Sequence, residues 1–128
     1  MSDRIELTLP ADEELRPVAN LVVGGLGARL ELTYEHLDDL QTALDALLAR
    51  RDDGGDITIA IEISNEVIRS TVGPFPDGGL RDLGGDSQEL GLRRVLETVT
   101  DGFEVELRDG ATFVVLTKRT AATAGAAG

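Results

Sequence analysis

The hydrophobic and polar positions of this chain fall into short runs whose period changes along its length. From Arg4 to Leu9, Ile5, Leu7 and Leu9 alternate with Glu6 and Thr8. That is the pattern of a half-buried strand, and Pro10 stops it. From about Asp12 or Glu14 to Arg29 the period lengthens. Leu15, Val18, Val22 and Leu26 recur at three- and four-residue spacings, which predicts a helix with those four on its apolar face. Pro17 suits its first turn, where the amide has no partner, while Gly24-Gly25 weakens the later turns. A second helix is predicted from about Thr33 to Arg51, with Leu37, Leu40, Leu44 and Leu47 or Leu48 in helical register. Glu35, Asp38 and Asp39 near its start and Arg50 and Arg51 near its end complement the helix dipole. Asp52-Asp53-Gly54-Gly55 is its stop signal.

The period then drops to two. Ile57, Ile59, Ile61 and Ile63 alternate with Thr58, Ala60, Glu62 and Ser64, the strongest strand signal in the chain. Asn65-Glu66 turns the chain into a second strand over 67–72, forming a hairpin. Residues 73–86 hold five Gly, two Pro and three Asp, the composition of a loop. A third helix is predicted from Asp86, with Glu89 three residues on completing a capping box. Its apolar face is Leu92, Val95, Leu96 and Val99, and Asp101-Gly102 ends it. Phe103, Val105 and Leu107 begin a second hairpin, turned by Asp109-Gly110 and returning over 112–118. From Thr120 the chain is Ala, Thr and Gly with nothing to bury, so 120–128 is expected to be a disordered tail beyond a domain of 1–119.

The predicted order is β-α-α-β-β-α-β-β. Each helix has one apolar stripe, so all three should cover one face of a mixed, mostly antiparallel sheet. The fold class is α+β, a two-layer sandwich. At 128 residues the chain is one domain in size. Aromatic residues make up only 3%, so the core must be aliphatic.

Charge narrows the function classes. Asp and Glu total 24 against 12 Lys and Arg, a net charge of −12. A phosphate backbone or an anionic membrane surface calls for the opposite sign, so nucleic acid and membrane are not expected partners. A basic protein partner fits the acidic balance, as does plain solubility. There is no Cys and one His, which rules out disulfides, thiolate metal sites and multi-histidine metal sites. Met1-Ser2-Asp3-Arg4 carries no apolar signal segment and no run is long enough for a membrane helix, so a cytoplasmic location is expected.

Several stretches invite chemical readings. Asp38, Asp39 and Asp45 form a carboxylate cluster that could hold a metal or serve the dipole and a solvated face. Gly78-Gly79 to Gly84-Gly85 reads as a phosphate cradle, a lid or a linker, and it lacks the Lys-Ser/Thr of a P-loop. Arg93 and Arg94 could attract an anion or lie exposed. His36 reads as a surface residue. Gly24-Gly25-x-Gly27 lies inside a helix, not after a strand, so it is not a dinucleotide motif.

Taken in order, Leu9-Pro10 closing the first strand, Asp39-Leu40-Gln41-Thr42-Ala43-Leu44-Asp45-Ala46-Leu47 in the second helix, and Glu89-Leu90-Gly91-Leu92 at the third helix resemble the anti-sigma factor serine kinases. These belong to the histidine-kinase-like (GHKL, Bergerat) ATPase fold. The resemblance covers about residues 4–118. It implies a protein that binds a sigma factor or an anti-sigma antagonist of the STAS type, and that forms homodimers. In active members a helix glutamate polarises the attacking group and an asparagine four positions later holds Mg²⁺, on which phosphoryl transfer depends. Ala46 stands at the glutamate position here and Arg50 at the asparagine position. The adenine-reading aspartate-x-glycine corresponds to Thr71-Val72-Gly73, and Thr71 cannot make the charge-assisted hydrogen bond. Gly91 and Leu92 keep part of the family's glycine-x-glycine-leucine. The resemblance thus implies a degenerate member, a pseudo-kinase with no catalytic residue and a vestigial pocket of Arg50, Thr71, Gly73, Gly91 and Leu92. Three readings follow: a regulator acting by protein binding with no cofactor; an active serine kinase using Mg-ATP; or a structural, dimerising module whose pocket is filled.

Overall fold

The computed structural model describes residues 3–29, 33–50, 55–64, 66–75 and 91–119. The order of elements is the expected one. Strand β1 (Asp3–Pro10) is followed by a single 3-10 turn (Glu13–Leu15) and helices α1 (Arg16–Arg29) and α2 (Tyr34–Leu48). Then come β2 (Asp56–Ser64), β3 (Val67–Phe75), α3 (Gly91–Val99), β4 (Gly102–Arg108) and β5 (Ala111–Arg119). The strands form one sheet in the order β1-β2-β3-β5-β4, and each of the four pairings is antiparallel. The α+β layout with three helices over one face of a mostly antiparallel sheet is therefore borne out.

Local chemistry explains the boundaries. Asp12 caps the 3-10 turn by accepting the Glu14 amide at 2.9 Å. Pro17 falls in the first turn of α1, where its missing N–H costs nothing. Thr33 caps α2 by accepting the His36 amide at 3.1 Å. That helix ends at Leu48 with Ala49 as its C-cap, short of the expected Arg51. Asp109 and Gly110 both take positive φ, the geometry of a tight primed hairpin turn, which glycine supplies without strain. The expected start of α3 at Asp86 with its capping box lies outside the described residues, as do the 120–128 tail and the paired glycines of 78–85.

Alternation of side chains sorts the sheet into two faces. One face presents Leu9, Ile57, Ile59, Ile61, Ile68, Val72, Val114 and Leu116, all buried in one cluster with Ala19 and Val23 of α1, Leu40, Ala43, Leu44, Leu47 and Leu48 of α2, and Leu96 of α3. Burying one such aliphatic side chain is worth about 1.5–3 kcal/mol, so this cluster holds the fold together. Lys118 adds a polar tie: its Nζ donates to Asp39 at 2.9 Å, joining β5 to α2.

Two expectations need correction. The predicted apolar stripe of the first helix was Leu15, Val18, Val22 and Leu26; Leu15 does pack against the core, but Val18 is exposed, and among the described side chains of α1 the buried ones are Ala19 and Val23. Val18 and Val23 are the same residue type, so position on the helix and not hydrophobicity decided which is buried. The loop expected over 73–86 does not start at Gly73: Gly73, Pro74 and Phe75 belong to β3 and Phe75 is buried, while 76–86 lie outside the described residues. The register shifts between Val72 and Phe75, an irregularity that accommodates a proline with no N–H to donate.

Candidate functional site

The residues singled out by the family resemblance divide between the two sides of the sheet. Ala46 is half-buried on α2 and packs against the core cluster. Arg50 is exposed just past the C-cap, its amide donating to the Leu47 carbonyl at 3.0 Å. Thr71 pairs across the sheet with Ala60 and Val115. It therefore shares the face opposite to Ser70, whose neighbours Ile61 and Leu116 are core. Gly73 lies on the same face as Thr71. A Cβ there would come within 2.5 Å of the Phe113 ring. Gly91 is the first residue of α3, and Leu92 follows it. The backbone of the sheet thus separates Thr71 and Gly73 from Ala46, and the structure does not gather these positions into one pocket.

The three aspartates of α2 also diverge. Asp39 accepts from Lys118, Asp45 accepts from Asn20 Nδ2 at 3.1 Å, and Asp38 faces solvent. Among the described residues no three His, Asp or Glu side chains are grouped to hold a metal ion. His36 is half-buried, less open than a surface residue. Arg93 pairs with Glu97 one turn on at 3.1 Å, and Arg94 is exposed.

What the fold does assemble is the outward surface of the α1–α2 hairpin. On α1, Val18, Leu21 and Gly25 follow one another at spacings of three and four, hence on one face, and all three are exposed. Leu21 leaves 75% of its surface in water. On α2 the outward face is Tyr34, Glu35, Asp38, Thr42, Asp45 and Ala49, with Tyr34 84% exposed. An apolar ridge therefore runs beside an acidic one. Polar contacts fix the two in register: Asn20 donates to Asp45, and Gln41 Nε2 donates to the Asn20 carbonyl at 3.0 Å. The 3-10 turn adds Asp12, Glu13 and Glu14 at the start of the hairpin.

The sheet's open face has a different character. Arg4, Arg69, Arg108 and Arg119 stand there among Glu6, Asp56, Glu62, Glu104 and Glu106, so its charges nearly balance. Arg4 pairs with Glu6 at 2.9 Å, and Arg108 pairs with Glu106 at 2.7 Å while lying 5.6 Å over the Phe113 ring. A shallow hollow of about 280 Å³ opens among Glu62, Ser64, Val67 and Arg69.

Sequence reasoning missed the apolar ridge because it assigned Val18 to the core. The usable signal was Ala19 and Val23, a second, smaller stripe at helical spacing. No known protein-family model matches the chain, and no curated protein matches it. Among the described residues no helix is long and apolar enough to cross a membrane.

Proposed function

We propose that this chain is a regulator of the anti-sigma kind that works in the cytoplasm by binding a protein partner, a sigma factor or a STAS-type antagonist, without phosphoryl transfer. The reading rests on the motif resemblance and on one structural observation. The position where an active kinase of that family would carry its glutamate is Ala46, and the methyl group is packed against the core. An alanine there can neither accept a proton nor orient a nucleophile. The remaining carboxylates of α2 do not substitute for it, because Asp39 and Asp45 are engaged by Lys118 and Asn20 and Asp38 points to water. A surface that sets exposed leucine and tyrosine beside carboxylates suits a protein partner better than a small anionic ligand.

The deciding experiment is a thermal-shift and calorimetric titration of the full chain with Mg-ATP and Mg-ADP. A ligand that binds only the folded state raises its stability by mass action. The expected result is no shift at about millimolar nucleotide, where a Kd of about 10 μM would give ~2.7 kcal/mol. A clear, Mg-dependent shift would overturn the reading and put an active kinase in its place. A pairwise binding panel of sigma factors and STAS-domain proteins then identifies the partner.

A further inference from the structure

The edges of the sheet are β1 and β4, and on β1 the hydrogen bonding shows which backbone groups are left over. Just past its end the Ala11 amide donates to the Gly55 carbonyl at 2.6 Å, continuing the register in which Leu9 faces Ile57. Bonded positions alternate in an antiparallel pair, so the odd residues Ile5, Leu7 and Leu9 exchange hydrogen bonds with β2. The N–H and C=O groups of Arg4, Glu6 and Thr8 therefore point out of the sheet. Pro10 fits this parity, because its nitrogen, with no hydrogen to give, also lies on the outer side. Among the described residues no backbone group pairs with those of Arg4, Glu6 and Thr8.

An open edge is a template for another strand, and proteins usually blunt it with charge. The charges of β1 do not blunt it against its own copy. Arg4 and Glu6 stand two positions apart on the open face, each side chain 56% exposed. When a second β1 is laid antiparallel about a two-fold axis at Ile5, Arg4 faces the copy's Glu6 and Glu6 faces the copy's Arg4. Both are outward-bonding positions, so the same register lets them exchange backbone N–H···O bonds. Each of these carboxylates then meets a guanidinium, and Ile5, 37% exposed in the single chain, lies against the copy's Ile5. The other edge lacks this match: β4 sets Glu104 and Glu106 against one Arg108, an excess of negative charge that two copies would double.

We propose that a second copy of this chain pairs along β1, joining two five-stranded sheets into one continuous sheet with two-fold symmetry. This pairing goes beyond the regulatory reading and does not depend on it. Opposed residues point to the same face, so both helix layers lie on one side of the joined sheet. Helix α2 touches both other helices, α3 leads into β4, and Lys118 ties α2 to β5, so α1 lies toward the β1 edge. Asn20 and Gly24 face Gln41 and Asp45 of α2, which turns Val18 and Val22 the other way, toward the copy. The part of the α1 stripe that the core leaves outside thus faces an apolar flank like itself.

Sedimentation equilibrium of the full chain tests the proposal, together with amide exchange read by ¹⁵N NMR. The expected mass at about 100 μM is twice the chain's 13.6 kDa, falling toward one chain on dilution. In the dimer the Arg4 and Glu6 amides should be protected from exchange at least about tenfold. Arg4→Glu alone and Glu6→Arg alone each oppose like charges, so each should weaken self-association at least about tenfold. Their circular dichroism should not change, because both side chains are exposed. Mixed in equal amounts, the two single variants match again and should form a heterodimer. The double variant Arg4→Glu/Glu6→Arg should dimerise like the parent. A monomer at every concentration, or a dimer that neither single variant weakens, would overturn the proposal. So would a dimer whose Arg4 and Glu6 amides exchange freely, because its contact lies elsewhere. A monomer leaves the regulatory reading standing, and a stability shift with Mg-nucleotide leaves this pairing standing.

Discussion

On the helix side of the sheet, Ile57, Ile59, Val72 and Val114 meet Leu44, Leu47 and Leu96, and each of these side chains is at most 2% exposed. On the other side, Thr8 and Thr58 share a hydrogen bond at 2.8 Å, Arg4 reaches Glu6, and Arg108 spans Glu106 and the Phe113 ring. The same strands supply both faces, so the difference is not one of backbone. It comes from alternation: in the central strands the helices cover every second residue, and the residues between them form the other face, where Ala60 and Val115 are buried and the charged side chains reach solvent. The covered face stores the stability. The open face is held by small exposed contacts, each worth a fraction of a kcal/mol.

That contrast can be broken or sharpened by substitution. The largest effect is expected at Leu47→Ala on α2, which should cost about 2–5 kcal/mol by leaving a cavity, whereas Thr8→Ala on the open face should stay within about 0.5 kcal/mol. Urea unfolding of both variants checks this, and equal losses would mean that the open face is covered in solution. Next is Gly73→Ala, the exception on the open face, because its Cβ would strike the Phe113 ring. It should cost about 1–3 kcal/mol. In a Phe113→Ala background the cost should largely vanish, and a double-mutant cycle reads that coupling. Lys118→Met comes third. The Lys118–Asp39 pair is half-sheltered, with side chains 14% and 27% exposed, so breaking it should cost about 1–2 kcal/mol. Asp39→Asn in the same background should add little. The smallest effect has the opposite sign. Ser70 is fully buried among aliphatic neighbours and its hydroxyl has no hydrogen-bond partner among the described residues. Ser70→Ala should therefore raise stability by up to about 1 kcal/mol, a shift of a few degrees in Tm.

Much of the architecture was legible beforehand, for reasons visible in particular residues. The isoleucines of β2 alternate so regularly that only a strand with one buried face fits them. Asp109-Gly110 specifies a hairpin because both residues tolerate positive φ, and both adopt it. The leucines of α2, Leu37 to Leu48, repeat over about three turns, enough to define a face. On α1 the reading failed in part because two stripes share Leu15: Leu15-Val18-Val22 and Leu15-Ala19-Val23. Periodicity ranks them by hydrophobicity, while the contacts made in the fold chose the second. The candidate site suffered more. The correspondence of Ala46, Arg50 and Thr71 to a kinase motif is a statement about order along the chain. Whether those residues meet depends on which side of β3 each strand residue takes, and register with β2 and β5 put Thr71 behind the sheet from α2.

By itself, the sequence determined the number, kind and order of the elements, the aliphatic character of the core and the acidic balance. These depend on local period, turn chemistry and composition, which act over a few residues. Only the tertiary structure decided which face of α1 turns inward, and with it that Ala19 and Val23 are buried while Val18 and Leu21 stay exposed. It also decided that Thr71 and Ala46 lie on opposite sides of the sheet. These outcomes depend on contacts between residues distant in the chain, where close packing outweighs the preference of any one segment.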